Sequence, residues 1–176
     1  RAMQLPPLAA GPVVSVSSAG AEGDSESYSC AVSDDGRRVV FASYASNLMG
    51  GNTWWTCHTY LHDTQTKVTS MVSVSSSSQE ADWDSFSPSI SGDGRFVSFD
   101  TGATNLVPGD TNTDWDVFVH DTKDRRTVRV SLNSAGGQVY GDSRYPSISA
   151  DGRFVAFEST SSGLVLGDNN KDTDVF

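Results

Sequence analysis

The chain repeats itself every 58 residues, and this period constrains its fold more than any other feature of the sequence. The tripeptide Asp-Gly-Arg stands at 35–37, at 93–95 and at 151–153. Residues 72–118 and 130–176 align over 47 positions without a gap and are identical at 24 of them. A repeat of this length predicts an array of similar structural units that pack against one another.

Each repeat contains four short runs with the composition of β-strands, bounded by turn residues. In the second repeat these runs are 86–91, 95–101, 115–122 and 126–133. The first two are joined by Gly92-Asp93-Gly94, which is typical of a tight hairpin. The many Ser, Thr, Asp, Asn and Gly residues disfavour helices. The sequence therefore predicts an all-β fold, a β-propeller of four-stranded antiparallel blades, with about three blades in this chain.

Three stretches of the sequence resemble a known repeat family. Residues 146–159 read Pro-Ser-Ile-Ser-Ala-Asp-Gly-Arg-Phe-Val-Ala-Phe-Glu-Ser, residues 105–112 read Asn-Leu-Val-Pro-Gly-Asp-Thr-Asn, and residues 116–121 read Asp-Val-Phe-Val-His-Asp. They resemble the TolB-like, WD40-like β-propeller repeat of bacterial secreted and periplasmic proteins, in its long variant. The resemblance implies an extracellular or periplasmic propeller with six blades in its ring. It implies no particular chemistry, because propellers carry many unrelated sites.

The repeat boundaries divide the chain into blades. We expect an N-terminal extension over 1–12, a closing outer strand plus the first blade over 13–71, a second blade over 72–129 with its outer strand reaching about 134, and an incomplete third blade over 130–176. The closing outer strand is predicted at Val13–Ser18, which aligns with the end of the later fourth strands. Three blades cannot close a ring, since propellers have at least about four. We expect the remaining blades from a longer chain or from a second copy.

The charge of the chain restricts its partners. It contains 12 basic and 22 acidic residues, which give a net charge of −10 and a pI of about 4.5. Nucleic acids and anionic membrane surfaces are bound mainly through Lys and Arg, so neither is an expected partner. No run in the sequence approaches the roughly 18 apolar residues of a spanning helix, and no membrane span is predicted.

Two loops have the spacing of calcium ligands. The pattern D-x-N-x-D-x-D occurs at Asp110, Asn112, Asp114 and Asp116, and again at Asp168, Asn170, Asp172 and Asp174. Alternate oxygen ligands of this kind form the first half of looped calcium sites, although the later EF-hand positions are not matched. The alternative is that Asp and Asn only cap turns in a solvated loop. Calcium is the expected cofactor in repeats two and three, whereas the aligned loop of repeat one contains no carboxylate.

Cys30 and Cys57 occur only in the repeat that lacks the acidic loop. They replace Pro88 and Trp115 at the starts of the first and third strands. These starts lie at the same end of a blade, one strand apart, or about 9.6 Å at roughly 4.8 Å per strand. That separation exceeds normal disulfide reach unless the loop folds inward. We predict a disulfide that fastens this loop if the compartment is oxidising.

Two His-Asp pairs occupy the same repeat position, at 62–63 and at 120–121. They could form catalytic or metal-binding pairs, but neighbouring residues of a strand point to opposite faces. We therefore interpret them as a repeated surface position. The sequence contains no G-x-S-x-G, H-E-x-x-H or phosphate-binding loop motif, and an enzyme is not expected.

Tryptophans are the candidate partner-binding residues. Trp54, Trp55 and Trp115 fall in or beside the loops between the second and third strands, and Trp83 is a further candidate. Trp anchors many protein interfaces and also stacks against sugars. We therefore expect a non-enzymatic, secreted scaffold that presents its loops to a protein or glycan partner. The alternative is a hydrolase or lyase acting at the central channel, or the propeller part of a larger enzyme.

Overall fold

The computed structural model describes residues 11–50, 55–170 and 172–176. These residues form strands and turns, with no helix among them, and so none that is long and apolar enough to cross a membrane. The strands are β1 (Ser27–Val32), β2 (Arg38–Ser43), β3 (His58–Asp63), β4 (Val68–Met71), β5 (Ser85–Ile90), β6 (Phe96–Thr101), β7 (Asp116–Asp121), β8 (Arg126–Arg129), β9 (Ser143–Ile148), β10 (Val155–Ser159) and β11 (Asp174–Val175).

The strands form three antiparallel sheets, one for each repeat. The first sheet has the order β1-β2-β3-β4, the second β5-β6-β7-β8 and the third β9-β10-β11. Each strand pairs with the next along the chain, and the register is the same in every repeat: Val40 faces Leu61 as Ser98 faces Val119. The predicted all-β propeller fold with four-stranded blades is confirmed.

The core lies between the sheets as well as within them. Val40 and Leu61 of the first blade pack with Ile90 and Val97 of the second blade and with Val72, which directly follows β4. The middle strand β6 is buried on both faces, with Val97 and Phe99 on one face and Ser98 and Asp100 on the other, each at most 1% exposed.

The Asp-Gly-Arg tripeptide closes the hairpin between the first two strands of each blade. Asp93 Oδ1 accepts hydrogen bonds from Ser91 Oγ and from the backbone N–H of Arg95. Gly94 has a φ of 73°, a left-handed conformation that glycine adopts without steric cost. The Arg95 guanidinium then reaches Asp121 at the end of β7, with Nη2 2.6 Å from Oδ2. Arg37 and Asp63 form the same pair in the first blade.

The histidines of the His-Asp pairs are buried, so the interpretation as a surface position is wrong. His120 Nδ1 lies 2.9 Å from Thr127 Oγ1, and the Thr127 hydroxyl donates to the carbonyl of Val74. Because that hydroxyl donates onwards, His120 carries the proton on Nδ1 and donates it to Thr127. The same two hydrogen bonds link His62 to Thr69 and Thr69 to the carbonyl of Val16. They attach the segment that enters each blade to the outermost strand of that blade.

The fourth strands are shorter than predicted, and Val13–Ser18 is not an outer strand. The strand predicted over 126–133 ends at Arg129, because the following residues turn towards the next blade. Val13–Ser18 is the equivalent segment two repeats earlier, and within it only Val16 makes a β-bridge, to Glu22. The Ser18 hydroxyl accepts the N–H of Thr69 in β4, so this segment lies against the first blade.

Candidate functional site

Aromatic rings form a continuous row across the first two blades, and the row ends on an arginine of the third blade. We call this row the inner rim and define it as Tyr28, Tyr44, Phe86, Trp115 and Arg144. Successive ring centroids lie 6.1 Å apart for Tyr28–Tyr44, 6.2 Å for Tyr44–Phe86 and 5.8 Å for Phe86–Trp115. The Arg144 guanidinium covers the Trp115 ring at 3.8 Å from its centroid. Spacings of this size are favourable for aromatic and cation–π pairs.

The 58-residue period brings these side chains together. Tyr28, Phe86 and Arg144 occupy the same position, second in the innermost strand of each blade. Tyr44 directly follows β2, and Trp115 directly precedes β7. Both therefore lie at the end of the sheets where the innermost strands begin.

Acidic residues before the innermost strands anchor the rim. Asp84 Oδ1 accepts the backbone N–H of Cys57 at 2.7 Å, and Asp142 Oδ1 accepts that of Trp115 at 3.0 Å. The Tyr44 hydroxyl donates to Asp84 Oδ2 at 3.3 Å. Burial, assisted by the charge of Asp84, raises the pKa of Tyr44 to about 12. Tyr44 thus stays a neutral hydroxyl over the physiological pH range.

A cavity of about 440 Å³ opens beside the rim. Each innermost strand has a β-bulge here, at Ser29, Ser87 and Tyr145, where φ is 45°, 50° and 55°. Bulges with positive φ are costly for residues other than glycine, and they re-aim side chains at the rims of sheets. The cavity is lined by Tyr28, Ser29, Tyr44, Phe86, Ser87, Asp100, Arg144 and Tyr145.

Asp100 is the buried carboxylate of this cavity, and its side chain lies between the second and third blades. The residue is 1% exposed. Oδ2 accepts the backbone N–H of Tyr145 at 2.9 Å, whereas Oδ1 has no hydrogen-bond partner. Burial raises the pKa of Asp100, and the Tyr145 N–H, the Ser87 side chain and the charge of Arg144 oppose that rise. An acceptor left unsatisfied in this way is unfavourable in the free protein.

The acidic loop of the second blade surrounds an arginine. Arg129 Nη1 lies 2.9 Å from Asp116 Oδ2 and 3.1 Å from Asp110 Oδ1. The Ser131 hydroxyl donates to Asp116 Oδ1, and the Gly141 N–H donates to Asp114 Oδ2. The carboxylates that were predicted to bind calcium are thus already paired with donors from the protein. A cation could enter between Asp110 and Asp116 only if Arg129 moved away.

The remaining predicted ligands differ in burial and in their partners. Asn112 directs its Nδ2 to the carbonyl of Val139, and its buried Oδ1 has no partner. In the third blade, Asn170 Nδ2 donates to Asp174 Oδ2 at 3.1 Å, while Asp168 and Asp172 are not buried. Among the described residues no three His, Cys, Asp or Glu side chains converge as a metal site. The third loop is more open to a cation than the second, because its carboxylates are not buried and no arginine among the described residues forms an ion pair with them.

The predicted disulfide is not formed in the structure. Cys30 is an exposed free thiol in β1, and Cys57 is a buried free thiol just before β3. The reason is the blade geometry, since β2 lies between these two strands. Burial raises the pKa of Cys57 to about 12, so its thiol stays protonated.

The tryptophans have different surroundings. Trp55 is 96% exposed and Trp83 is 59% exposed, as expected for contact residues. Trp115 is half-buried within the inner rim, between Phe86 and Arg144. Trp54 lies outside the described residues.

The sequence did not identify the residues that organise this site, among them Asp100, Arg129 and Arg144. A signal for Arg129 does exist in the repeat alignment. Its equivalent in the first blade is Met71, and this substitution accompanies the loss of both carboxylates from the first loop. Joint loss of opposite charges is what a buried ion pair predicts.

Comparison with known proteins identifies the fold. No family model matches the chain, and no curated protein matches it. TolB from Acinetobacter baumannii is similar with a TM-score of 0.50 and 18% identity, over 86% of this chain and 29% of that one. A putative TolB from Agrobacterium tumefaciens gives 0.51 and 19%, over 76% and 38%. The tricorn protease gives 0.50 and 14%, over 77% and 11%. The chain thus spans well under half the length of each, and the likeness is one of a TolB-like propeller fold.

Proposed function

We propose that the chain is part of a non-enzymatic β-propeller binding module, secreted or periplasmic, that presents its inner rim to a protein or glycan partner. The observation that carries this proposal is the row of four aromatic rings that spans the first two blades and ends on Arg144 of the third. The location is supported by the resemblance to repeats of bacterial secreted and periplasmic proteins.

Accessible aromatic area beside the cavity supports this role. Tyr28 is 41% exposed and Tyr145 is 61% exposed, and both line the cavity. Tyrosine offers a large contact area with little side-chain freedom to lose, together with a hydroxyl that forms hydrogen bonds. Such residues dominate the energetics of many interfaces.

The outer face of the third blade supports a larger ring. In the interior, Gly152 of the third blade packs against Phe96, so that a Cβ on that glycine would lie 2.5 Å from the ring. The equivalent aromatic residue of the third blade, Phe154, is 65% exposed. We propose that the Asp-Gly-Arg hairpin of a further blade covers Phe154. That blade comes from a longer chain or from a second copy, in a ring of six.

The proposal includes a calcium site in the loop of the third blade. The carboxylates of Asp168, Asp172 and Asp174 with the Asn170 carbonyl would supply the oxygen ligands that calcium prefers. The bound ion would hold the loop between the second and third strands in one conformation. It would also stabilise the native state by mass action.

The proposal is tested with Tyr145→Ser, which introduces the residue found at the same position and φ in the other two blades. Tyr140→Ser is the matched control, because Tyr140 is 83% exposed and does not line the cavity. We expect Tyr145→Ser to abolish binding in a glycan array or in partner capture, and Tyr140→Ser to leave it unchanged. Equal binding by both variants would contradict the proposal. Turnover in a hydrolase and lyase screen would favour the enzymatic alternative.

A further inference from the structure

We propose that the cavity beside the inner rim binds a neutral carbohydrate ring, with Asp100 Oδ1 accepting a hydrogen bond from one of its hydroxyl groups. This inference rests on the proposed binding function and names the ligand class of that site. Its starting point is an oxygen atom that has no partner, on a carboxylate that is 1% exposed at the wall of the cavity.

The fold itself does not require a carboxylate at this position. The equivalent residue is Ala42 in the first blade and Glu158 in the third, on strands of the same register. A buried acceptor without a donor costs free energy in the folded state. Residues retained at such a cost are typical of ligand sites, where the ligand supplies the missing partner.

The side chains around Asp100 select the chemistry of the ligand. Tyr28, Tyr44 and Tyr145 contribute aromatic surface and hydroxyl groups, and Arg144 contributes hydrogen-bond donors. A sugar ring offers an apolar face for the aromatic rings and hydroxyl groups that both donate and accept. The cavity thus provides an acceptor, donors and stacking surface within about 440 Å³, a volume typical of small-ligand sites.

Charged ligands match the cavity less well. Arg144 faces the cavity, and its charge would repel an ammonium or guanidinium ligand next to Asp100. An anionic ligand would meet Asp100 itself and a chain with a net charge of −10. A ligand without net charge avoids both repulsions.

The test is a titration of the protein with glucose, N-acetylglucosamine, maltose and cellobiose, followed by saturation-transfer NMR and by calorimetry. We expect saturable binding of at least one of these sugars. Asp100→Asn should weaken it by about tenfold or more, because a hydrogen bond to a charged group is lost. Asp100→Ala, which copies the first blade, should weaken it similarly. The thermal unfolding of both variants shows that they are folded.

Glu158→Gln is the matched control, because Glu158 occupies the same repeat position but is exposed and does not line this cavity. It should bind the sugars as the unmodified protein does. Absence of saturable binding at millimolar sugar, or equal affinity of the Asp100 variants, would overturn the inference. If the sugars fail but Tyr145→Ser still abolishes capture of a protein partner, only the carbohydrate assignment falls. If both fail, the proposed function falls as well.

Discussion

Arg129 Nη1 lies 2.9 Å from Oδ2 of Asp116, inside the loop that the sequence predicted to bind calcium. The two side chains are 7% and 3% exposed, and Asp110, at 2%, contacts the same nitrogen. The arginine therefore occupies the place of a cation in the second blade. Burial raises the pKa of both carboxyls, and Arg129 opposes that rise.

Arg129→Met copies the first blade at this position and leaves two buried carboxylates without their cation. Removing one partner of a buried ion pair costs about 3–5 kcal/mol of folding free energy, and we expect a loss of this order in urea unfolding. Arg126→Met, at an exposed position of the same strand, should have little effect. Adding Asp110→Asn and Asp116→His to Arg129→Met reproduces the first blade and should recover most of the loss. A triple variant no more stable than Arg129→Met would contradict the ion-pair interpretation.

Calcium-dependent stability should come from the third blade. We expect the melting temperature to rise between chelator and millimolar calcium, because calcium binds the native loop. Replacing Asp168 and Asp174 by Asn should abolish this rise. The same change at Asp110 and Asp116 should preserve the rise, since Arg129 already compensates those charges. A melting temperature that does not respond to calcium would rule out the metal in both loops.

Most of the fold could be predicted from the sequence, because a repeat fixes every blade once one blade is interpreted. Strand order and the Asp-Gly-Arg hairpins follow from local patterns. The early end of the fourth strand does not follow from local patterns, because the strand ends at Arg129, where the chain leaves one sheet for the next. The inner rim could not be predicted from the sequence, for a different reason. Tyr28, Phe86 and Arg144 occupy the same repeat position but are different residue types. An alignment of the repeats therefore gives no signal that Tyr44 and Trp115 connect them in one row.

Acid should destabilise the protein through His58. This residue is 2% exposed, and burial lowers its pKa to about 4 although the charge of Asp84 opposes that shift. The unfolded chain therefore binds a proton at higher pH than the native state does. Stability should fall as the pH decreases from about 6.5 towards 4, by roughly 3 kcal/mol at most. His58→Gln should flatten this part of the curve of unfolding free energy against pH. An unchanged slope would exclude His58 as its cause.

The pair formed by Arg95 and Asp121 should make the free energy of unfolding depend on pH in a lower pH range than His58 does. Hydrogen bonds from Arg95 hold the pKa of Asp121 well below its usual range. The stabilisation is therefore present above about pH 4 and is lost as Asp121 becomes protonated. Arg95→Gln should lower the free energy of unfolding only modestly at neutral pH, because the arginine is 33% exposed and solvent weakens the pair. Arg153→Gln removes a guanidinium that lies 4.0 Å from Asp151 and over the Phe154 ring, and it should cost less. Equal losses of unfolding free energy in the two variants would show that the Arg95–Asp121 pair contributes no more than the exposed contact of Arg153.

Cys30 and Cys57 should differ in reactivity. Cys30 is exposed, whereas Cys57 is buried and its pKa is raised to about 12, so only Cys30 presents an accessible thiol. Treatment of the native protein with N-ethylmaleimide, without reductant, should add one label by intact mass. Denaturation in urea should expose Cys57 and allow a second label. Cys57→Ser is the control, and it should show one label under both conditions. If the unreduced protein accepts no label even in urea, the two cysteines are joined in a disulfide after all, and the loop before β3 must fold inward to reach β1.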